Sequence, residues 1–452
     1  MLKDIKYIKV WQRYLKRETG TVGDVTVNGS WKYELFGIID VFGSAIFNSS
    51  FGGRGDFELT LPYNDFNLRM LHLDTDAERE KFIASQTAVD GHNYISLSIY
   101  LTVDGINDIF CVEKITFERN DNGALYIVIS GSNGIGLFDG LFVGQTRVFG
   151  KTVDGTTTPV KAITGRKMLL SGFNTSGGAG FGKAYPNLCA LVADGFRNAE
   201  LGDELLSNAN LYANQRGYNV VYQTDTLYWN LNKNILDSDG NKYTPSWEPA
   251  ELSALILDFC EKYKMGFEYG FIDNGDGTWQ AVVTVKDTKG SGTILLRDEM
   301  PIIKNPTLTL DLTKISEQYI ALGAKDNEDN FYTYGTDTTG NAYESATLYA
   351  RRIIAKESNL TTDDNTYTTA YRNQLYNLAV KSRKLDAQES VTGSIAIMNA
   401  GTTVLEDDIY LGNCKTLEIF GRKMDIYITN MTYVKDTGGF SISCDYALQY
   451  QK

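Results

Sequence analysis

The sequence predicts an α+β protein in which β structure predominates, and three observations predict it. The run Phe57-Glu58-Leu59-Thr60-Leu61 alternates apolar and polar residues and stops at Pro62, the period of a half-buried strand with one dry face. Hairpin turn dipeptides fall between such runs, as at Asp104-Gly105. The composition is rich in Tyr (28), Phe (21) and Gly (43) and poor in Pro (7), which favours short aromatic strands joined by turns. At 452 residues the chain exceeds the size at which single cores stop growing, so more than one domain is expected.

The first segment interleaves Lys3, Lys6, Lys9, Arg13, Lys16 and Arg17 with Ile5, Ile8, Trp11 and Leu15. On a helix those apolar residues share one face; on a strand Tyr7, Lys9 and Trp11 do. The segment reads as a docked terminus with a solvated face, and Lys9, Trp11 and Arg13 are the candidate partner-docking residues. Removal of Met1 to Gly20 is then expected to abolish assembly yet leave the fold intact.

From Trp31 to about Gly150 the pattern is that of strands. Tyr94 to Val103, Ile109 to Glu118 and Leu125 to Ser130 form a predicted three-strand meander, turned at Asp104-Gly105 and at Asn120-Asp121-Asn122-Gly123. Thr75 with Glu78 has capping-box spacing ahead of a helix over Ala77 to Ala84.

From about Lys151 to Pro306 helices and strands mix. A Gly-rich stretch, Gly172 to Gly182, precedes a predicted helix from Asn187 to Glu200. Pro249 suits a first helical turn, and Leu252, Leu255, Ile256, Phe259 and Tyr263 continue at helical spacing until Gly266 closes the element. A hairpin across Asp273-Asn274-Gly275-Asp276-Gly277 follows, returning through Trp279 to Lys286.

The last third returns to strands. Tyr319 to Gly323 is one, a helix is expected around Thr368 to Leu385, and the closing strands are Cys414 to Phe420, Met424 to Tyr433 and Phe440 to Tyr446. The organisation is thus 1–150, 151–306 and 307–452, the last with a helical insertion at about 340–385.

A net charge of −13 argues against affinity for a nucleic-acid backbone, which Lys and Arg must neutralise. Cys111, Cys189, Cys260, Cys414 and Cys444 form no CxxC pair and read as free, buried thiols of a protein made in a reducing cytoplasm. The N-terminus lacks an apolar signal core, and no run of about 18 apolar residues exists to make a spanning helix, so no stable membrane insertion is expected.

Motifs that carry chemistry fail at particular residues. Gly177 to Lys183 has the spacing of a phosphate-cradling loop, but Ala184 stands where a Mg²⁺-binding hydroxyl belongs and Pro186 interrupts the helix. Asp237, Asp239 and Asn241 with Glu248 have partial calcium-loop spacing, but Lys242 occupies the position that needs Gly. Asp326, Glu328 and Asn330 make a further acidic patch without a terminal ligand. Only two histidines exist, His72 and His92, neither beside a nucleophile motif, and both read as ordinary surface residues. No catalytic residue, metal ligand or cofactor is assigned, and the chain is read as a non-enzyme.

Four stretches, in order, resemble phage tail-tip baseplate hub proteins: Glu34 to Asp65, containing "GGRGDFELTLP"; Phe110-Cys111-Val112-Glu113-Lys114-Ile115 with "NGALYIVISGSNGIGLFDGLFVGQTRVFG"; Glu317 to Ala324; and Leu405 to Tyr446. The chain departs from the family pattern at Asn413, where Asp is usual, and at Lys423-Met424-Asp425-Ile426. The resemblance implies two tube-type β-barrels, one in 1–150 and one in 307–452, with α+β hub domains outside them. It further implies a homotrimer that joins a tail tube or distal tail ring to a central spike, fibre or tape-measure end. DNA would pass through its channel without specific binding. The expected place is the tail tip of a virion assembled in the bacterial cytoplasm. No hydrolase or fibre appendage is expected, since the chain stops at Lys452 after its last strand. The alternatives are a receptor- or glycan-binding tail protein and the hub of a phage-like contractile injection system.

Overall fold

A computed structural model describes residues 4–16, 20–22, 25–27, 30–75, 99–143, 145–153, 156–164, 166–167, 183–184, 188, 191–192, 218–222, 246–247, 250–297, 299–300, 303–316, 318–323, 334–338, 353–357, 369–397 and 409–448. They form a mostly β protein whose ladders are chiefly antiparallel.

The principal N-terminal strands are β1 (Ile8–Lys16), β2 (Ser30–Ile39), β3 (Ser44–Ser50), β4 (Asp56–Pro62), β5 (Ile99–Val103), β6 (Phe110–Arg119) and β7 (Leu125–Asn133). They pair in the order β2-β1-β5-β6-β7-β4-β3, every pair antiparallel. The expected alternation holds in β4, where Phe57, Leu59 and Leu61 are buried and Asp56 and Glu58 exposed. The expected meander is β5-β6-β7, with Gly105 and Gly123 at positive φ in its turns. Residues 94–98 of the first expected strand, and the expected helix over Ala77 to Ala84, lie outside the described residues. After β4 comes a short helix, α1 (Asp65–Met70), capped by the Asn64 side chain on the Asn67 N–H.

In the middle third, Leu188, Leu191 and Val192 of the expected helix at 187–200 are helical and buried. Helix α2 (Leu252–Tyr263) is followed by β8 (Met265–Asp273), β9 (Trp279–Asp287) and β10 (Lys289–Arg297). Two signals at this helix acted differently from expectation. The helix starts at Leu252 with Glu251 as its N-cap, so Pro249 precedes it instead of entering its first turn. Its stop is Lys264, in the left-handed region at φ 52, and Gly266 lies inside β8. The expected β8–β9 hairpin is present, with Gly275 and Gly277 at positive φ.

In the last third, Gln318–Leu322 pairs with Tyr334–Thr338 and Ile353–Glu357. Helix α3 (Thr369–Glu389) runs four residues past the expected end. Then come β11 (Val391–Ile397), β12 (Asn413–Ile419), β13 (Arg422–Asp436) and β14 (Gly439–Leu448). They pair in the order β10-β12-β13-β14-β11, parallel between β10 and β12 and antiparallel elsewhere.

β13 belongs to both strand sets. Its edge opposite β14 takes β12 along Arg422 to Tyr427 and then β3 along Asn430 to Lys435, with a register shift between Ile428 and Asn430 where the partner changes. One ladder therefore runs from β2 to β11. It does not close on itself among the described residues, since β2 meets no neighbour beyond β1 except at Tyr33, opposite Trp279 of β9.

Two cores flank this ladder. The larger joins Ile8, Val10, Phe47, Leu59 and Ile129 from the first third to Ile395, Leu417, Ile428 and Tyr446 from the last. The second joins Trp11, Tyr33 and Tyr100 to Ile256, Phe259, Phe267 and Val283 of the middle third. β1 feeds both by alternation: Ile8 and Val10 face the first core and Trp11 the second. The N-terminal segment is thus a strand, and its tryptophan meets a partner inside the chain. The Trp11 ring lies 4.4 Å from that of Phe271 and 5.0 Å from that of Trp279, and its indole N–H donates to Thr102 Oγ1 at 2.8 Å. Deleting Met1 to Gly20 would remove this whole strand, so the expectation that the fold survives the deletion is corrected.

Trp11→Ala should cost about 3–5 kcal/mol, the range for emptying a buried aromatic site. Lys9→Ala should change stability by no more than about 0.5 kcal/mol. Urea unfolding of the two variants checks the contrast.

Candidate functional site at the junction of the sheets

The loop between β3 and β4, Phe51-Gly52-Gly53-Arg54-Gly55, touches all three thirds of the chain. Phe51 donates its N–H to Thr429 O of β13 at 2.9 Å, and its carbonyl accepts the Phe267 N–H of β8 at 2.9 Å. Its ring is buried with Cys414 and Tyr427. The glycines around it are steric necessities. A Cβ on Gly266 would overlap the Phe51 carbonyl, one on Gly52 the Met265 carbonyl, and one on Gly412 the Phe51 ring. Gly412 also sits at φ +75, where a side chain is strained.

At the other end of the loop Asn133, the last residue of β7, clamps Gly55 twice. Its backbone N–H donates to Gly55 O and its side-chain oxygen accepts the Gly55 N–H, each at 3.0 Å. Its amide nitrogen faces Asp108 Oδ2 at 3.5 Å. Asp108 is 3% exposed, and its Oδ1 accepts the N–H groups of Ile109 at 2.8 Å and Gly134 at 3.2 Å. Burial pushes its carboxyl up to about 6 against the pull of those donors.

Outside this buried node, the Arg54 guanidinium holds Asp139 at 2.5 Å and Glu113 at 3.8 Å. The Ser132 hydroxyl donates to Glu113, and the Gly140 N–H donates to Glu251 at 2.8 Å. The arrangement can transmit position among three elements. A nucleophile is not offered at the node: burial holds the Cys111 thiol well above its ordinary value, so it stays protonated. A cavity of about 340 Å³ opens nearby, lined in part by Ser49, Asn107, Glu268, Lys286, Tyr410 and Tyr433. Its two charged residues, Lys286 and Glu268, form an ion pair with each other.

Of the three residues expected to dock a partner, Trp11 is spent inside the fold. Lys9 and Arg13 are half-buried, and Lys9 Nζ lies 6.0 Å from the Tyr7 ring centroid. His72 follows the end of α1 at φ 57, half-buried, with its ring 4.4 Å from that of Phe36. His92, Gly177 to Gly182, the Asp237–Asn241 stretch and the Asp326–Asn330 patch lie outside the described residues. Cys111, Cys260, Cys414 and Cys444 are free and buried, and Cys189 lies outside the described residues. Among the described residues no group of three His, Cys, Asp or Glu could hold a metal ion, and no helix is long and apolar enough to cross a membrane. Asp108 was missed in the sequence; its one signal is a lone acid inside Ile106-Asn107-Asp108-Ile109-Phe110.

No family model and no curated protein matches the chain. Solved structures do. A tail protein from Neisseria meningitidis MC58 is 10% identical, with 97% of this chain and 96% of that one covered at a TM-score of 0.46. The 43 kDa tail protein of prophage MuSo2 from Shewanella oneidensis is 9% identical, covering 97% and 98% at 0.46. The prophage tail protein gp18 from Listeria monocytogenes EGD-e is 12% identical, covering 90% of each at 0.40. These are likenesses to phage tail proteins. With identities near a tenth and TM-scores below 0.5, the role of this chain has to be argued from its own residues.

Two outcomes follow from the node. Asp108 titrates near 6 when folded and near 3.9 when unfolded, so its contribution to stability is full below about 4 and is lost as pH rises through 6. The loss amounts to about 3 kcal/mol. Urea unfolding at pH 7.5, 6 and 5 should show wild type gaining stability relative to Asp108→Asn as pH falls; a pH-independent difference would refute the assignment. Gly266→Ala should destabilise by at least about 2 kcal/mol, because the carbonyl it meets is backbone and cannot swing aside.

Proposed function

We propose that the chain is a structural, non-enzymatic hub of a phage tail tip or baseplate. In this reading two tube-type β-barrels, in 1–150 and 307–452, stand side by side with the α+β segment 151–306 outside them. Three copies form a ring that joins the tail tube or distal tail ring to a central spike, fibre or tape-measure end. DNA leaves through the channel without specific binding, and the protein acts in the virion after assembly in the bacterial cytoplasm.

The observation that carries the proposal is the ordered resemblance of four stretches, taken with where those stretches lie. Glu34 to Asp65 contains the Phe51–Gly55 loop, and Leu405 to Tyr446 contains Gly412 and Tyr427, which hold Phe51. Glu113, Asn133 and Asp139 of the second stretch hold the far end of the same loop. Three of the four stretches that resemble the family are therefore in contact through this loop, as expected if they specify an architecture. Lys9 and Arg13, half-buried on the same face of β1 as Trp11, are proposed to meet a partner at the rim of the core that Trp11 enters. A net charge of −13 per chain also suits a channel that repels DNA.

Mass photometry over a concentration series, with negative-stain imaging, tests the proposal. The expected result is a species of three 50.3 kDa chains seen as a ring with a central hole. A chain that stays monomeric even with a tail-tube protein present, yet binds glycans, would replace this reading with that of a receptor-binding tail protein.

A further inference from the structure

The ladder from β2 to β11 has two ends, and each leaves apolar side chains in water. On β2, Tyr33, Leu35 and Ile38 lie opposite Arg13, Trp11 and Lys9 of β1, with Phe36 left out of the register. Residues facing one another across a ladder share a face, so all three stand on the side of the second core. Tyr33 is buried in that core, but Leu35 is 40% and Ile38 44% exposed. Past Tyr33 the outer edge of β2 pairs with no strand among the described residues. Every second residue of such an edge holds its N–H and C=O outward, where another strand can take them.

The other end lies past β11. Among the described residues its edge opposite β14 carries two short pairings, Ile303–Lys304 and Thr309–Leu310. The sequence there, Thr307-Leu308-Thr309-Leu310-Asp311-Leu312, alternates over six residues, the pattern of a strand with one dry face. Only the start of that face is dry. Leu308 packs against the larger core, while Leu310 is 52% and Leu312 64% exposed. The segment then turns, the Asp311 carboxylate accepting the Thr313 N–H at 2.9 Å. Apolar residues exposed singly need no explanation, but here a pair stands at each end of one ladder. The ends also match in kind: one is an unpaired edge with an apolar rim, the other a strand-patterned segment whose leucines lack cover. Both stay exposed within one chain, so what joins them is a second copy.

We infer that Leu310 and Leu312 of one copy dock along the outer edge of β2 of the next, against Leu35 and Ile38. The inference rests on the multimeric reading above and names the two surfaces that make the contact. A contact between unlike ends is heterologous: it repeats from copy to copy and closes into a ring when the rotation allows.

Sedimentation velocity of the full chain tests it with two variants altered at exposed positions, Leu35→Lys/Ile38→Lys at the edge and Leu310→Lys/Leu312→Lys at the turn. Each alone should self-associate about tenfold or more weakly than wild type. An equimolar mixture of the two should form a two-chain species and stop there. The native turn of the edge variant still fits the native edge of the turn variant, but that contact cannot be repeated. A mixture that stays monomeric while wild type associates overturns the contact. Rings undiminished in both variants overturn it and leave the hub reading intact. A wild type that is monomeric at every concentration also overturns it, and the hub reading then stands or falls on its tail-tube partner. If the edge variant loses only its binding to a tail-tube protein, β2 belongs to that partner and the inference fails. Should the lysines unfold the chain, Ile38→Cys with Leu312→Cys in the otherwise native chain supplies the second measurement, since Cys111, Cys260, Cys414 and Cys444 are buried. A short bis-maleimide should link two and three chains, and neither new cysteine should suffice alone. Links only within one chain, no links, or two-chain species from Ile38→Cys alone refute the contact.

Discussion

The structure depends on one constraint, the approach of the Phe51 backbone to that of Met265-Gly266-Phe267. The Phe51 carbonyl accepts the Phe267 N–H, and that bond forms only because Gly266 has no Cβ to hold the strands apart. The neighbouring Phe51 N–H is committed to β13. A single residue thus spends its donor on the last third of the chain and its acceptor on the middle third, while its flanks belong to the first. A buried backbone group left without a partner costs free energy on the scale of a lost hydrogen bond, so shifting any one of the three elements penalises the other two.

β13 supplies the complementary constraint. A strand of 15 residues is long for a globular protein, and here its length is used for two successive partners along one edge, β12 and then β3. The register shift between Ile428 and Asn430 comes where the partner changes. Such irregularities bend a strand and raise its twist, which suits one continuous strand that serves two strand sets in succession. Because the larger core contains side chains from both sets, the first and last thirds bury a common apolar interior. An ion pair joins the two thirds as well: Lys435 Nζ of β13 lies 2.6 Å from Asp4 Oδ2, ahead of β1.

What the sequence made legible were the local signals. The alternation in β4, the turns at Gly105, Gly123 and Gly275, and the apolar spacing of α2 each act over a few residues, and each appears in the structure. What it hid were choices settled between distant residues. Trp11 read equally well on a helix or a strand; its place was decided by Thr102 and Phe271, far along the chain. Gly266 looked like a helix stop because glycine often is one, but the stop is Lys264 and the glycine answers to a backbone more than 200 residues upstream. The phrase around Phe51 stood out for its strand pattern and family likeness, and neither property discloses that it is the junction. Asp108 was one acid among 56 acidic residues, with nothing local to separate it from surface carboxylates.

Asp108 raises the question of why the junction carries a carboxylate at all. Burial penalises the charged form, so at neutral pH this residue detracts from stability compared with a neutral group of the same shape. The geometry around it argues against a neutral replacement. Two backbone N–H groups converge on Oδ1, and the Asn133 amide approaches Oδ2 from the other side. An asparagine could accept on one side only, and its amide would face the Asn133 amide donor to donor. Turning Asn133 to relieve that clash would take its oxygen away from the Gly55 N–H and loosen the loop that joins the three thirds. The acid is therefore retained for what it orients: it fixes Asn133, Asn133 fixes Gly55, and the loop so held presents Phe51 to both of its backbone partners.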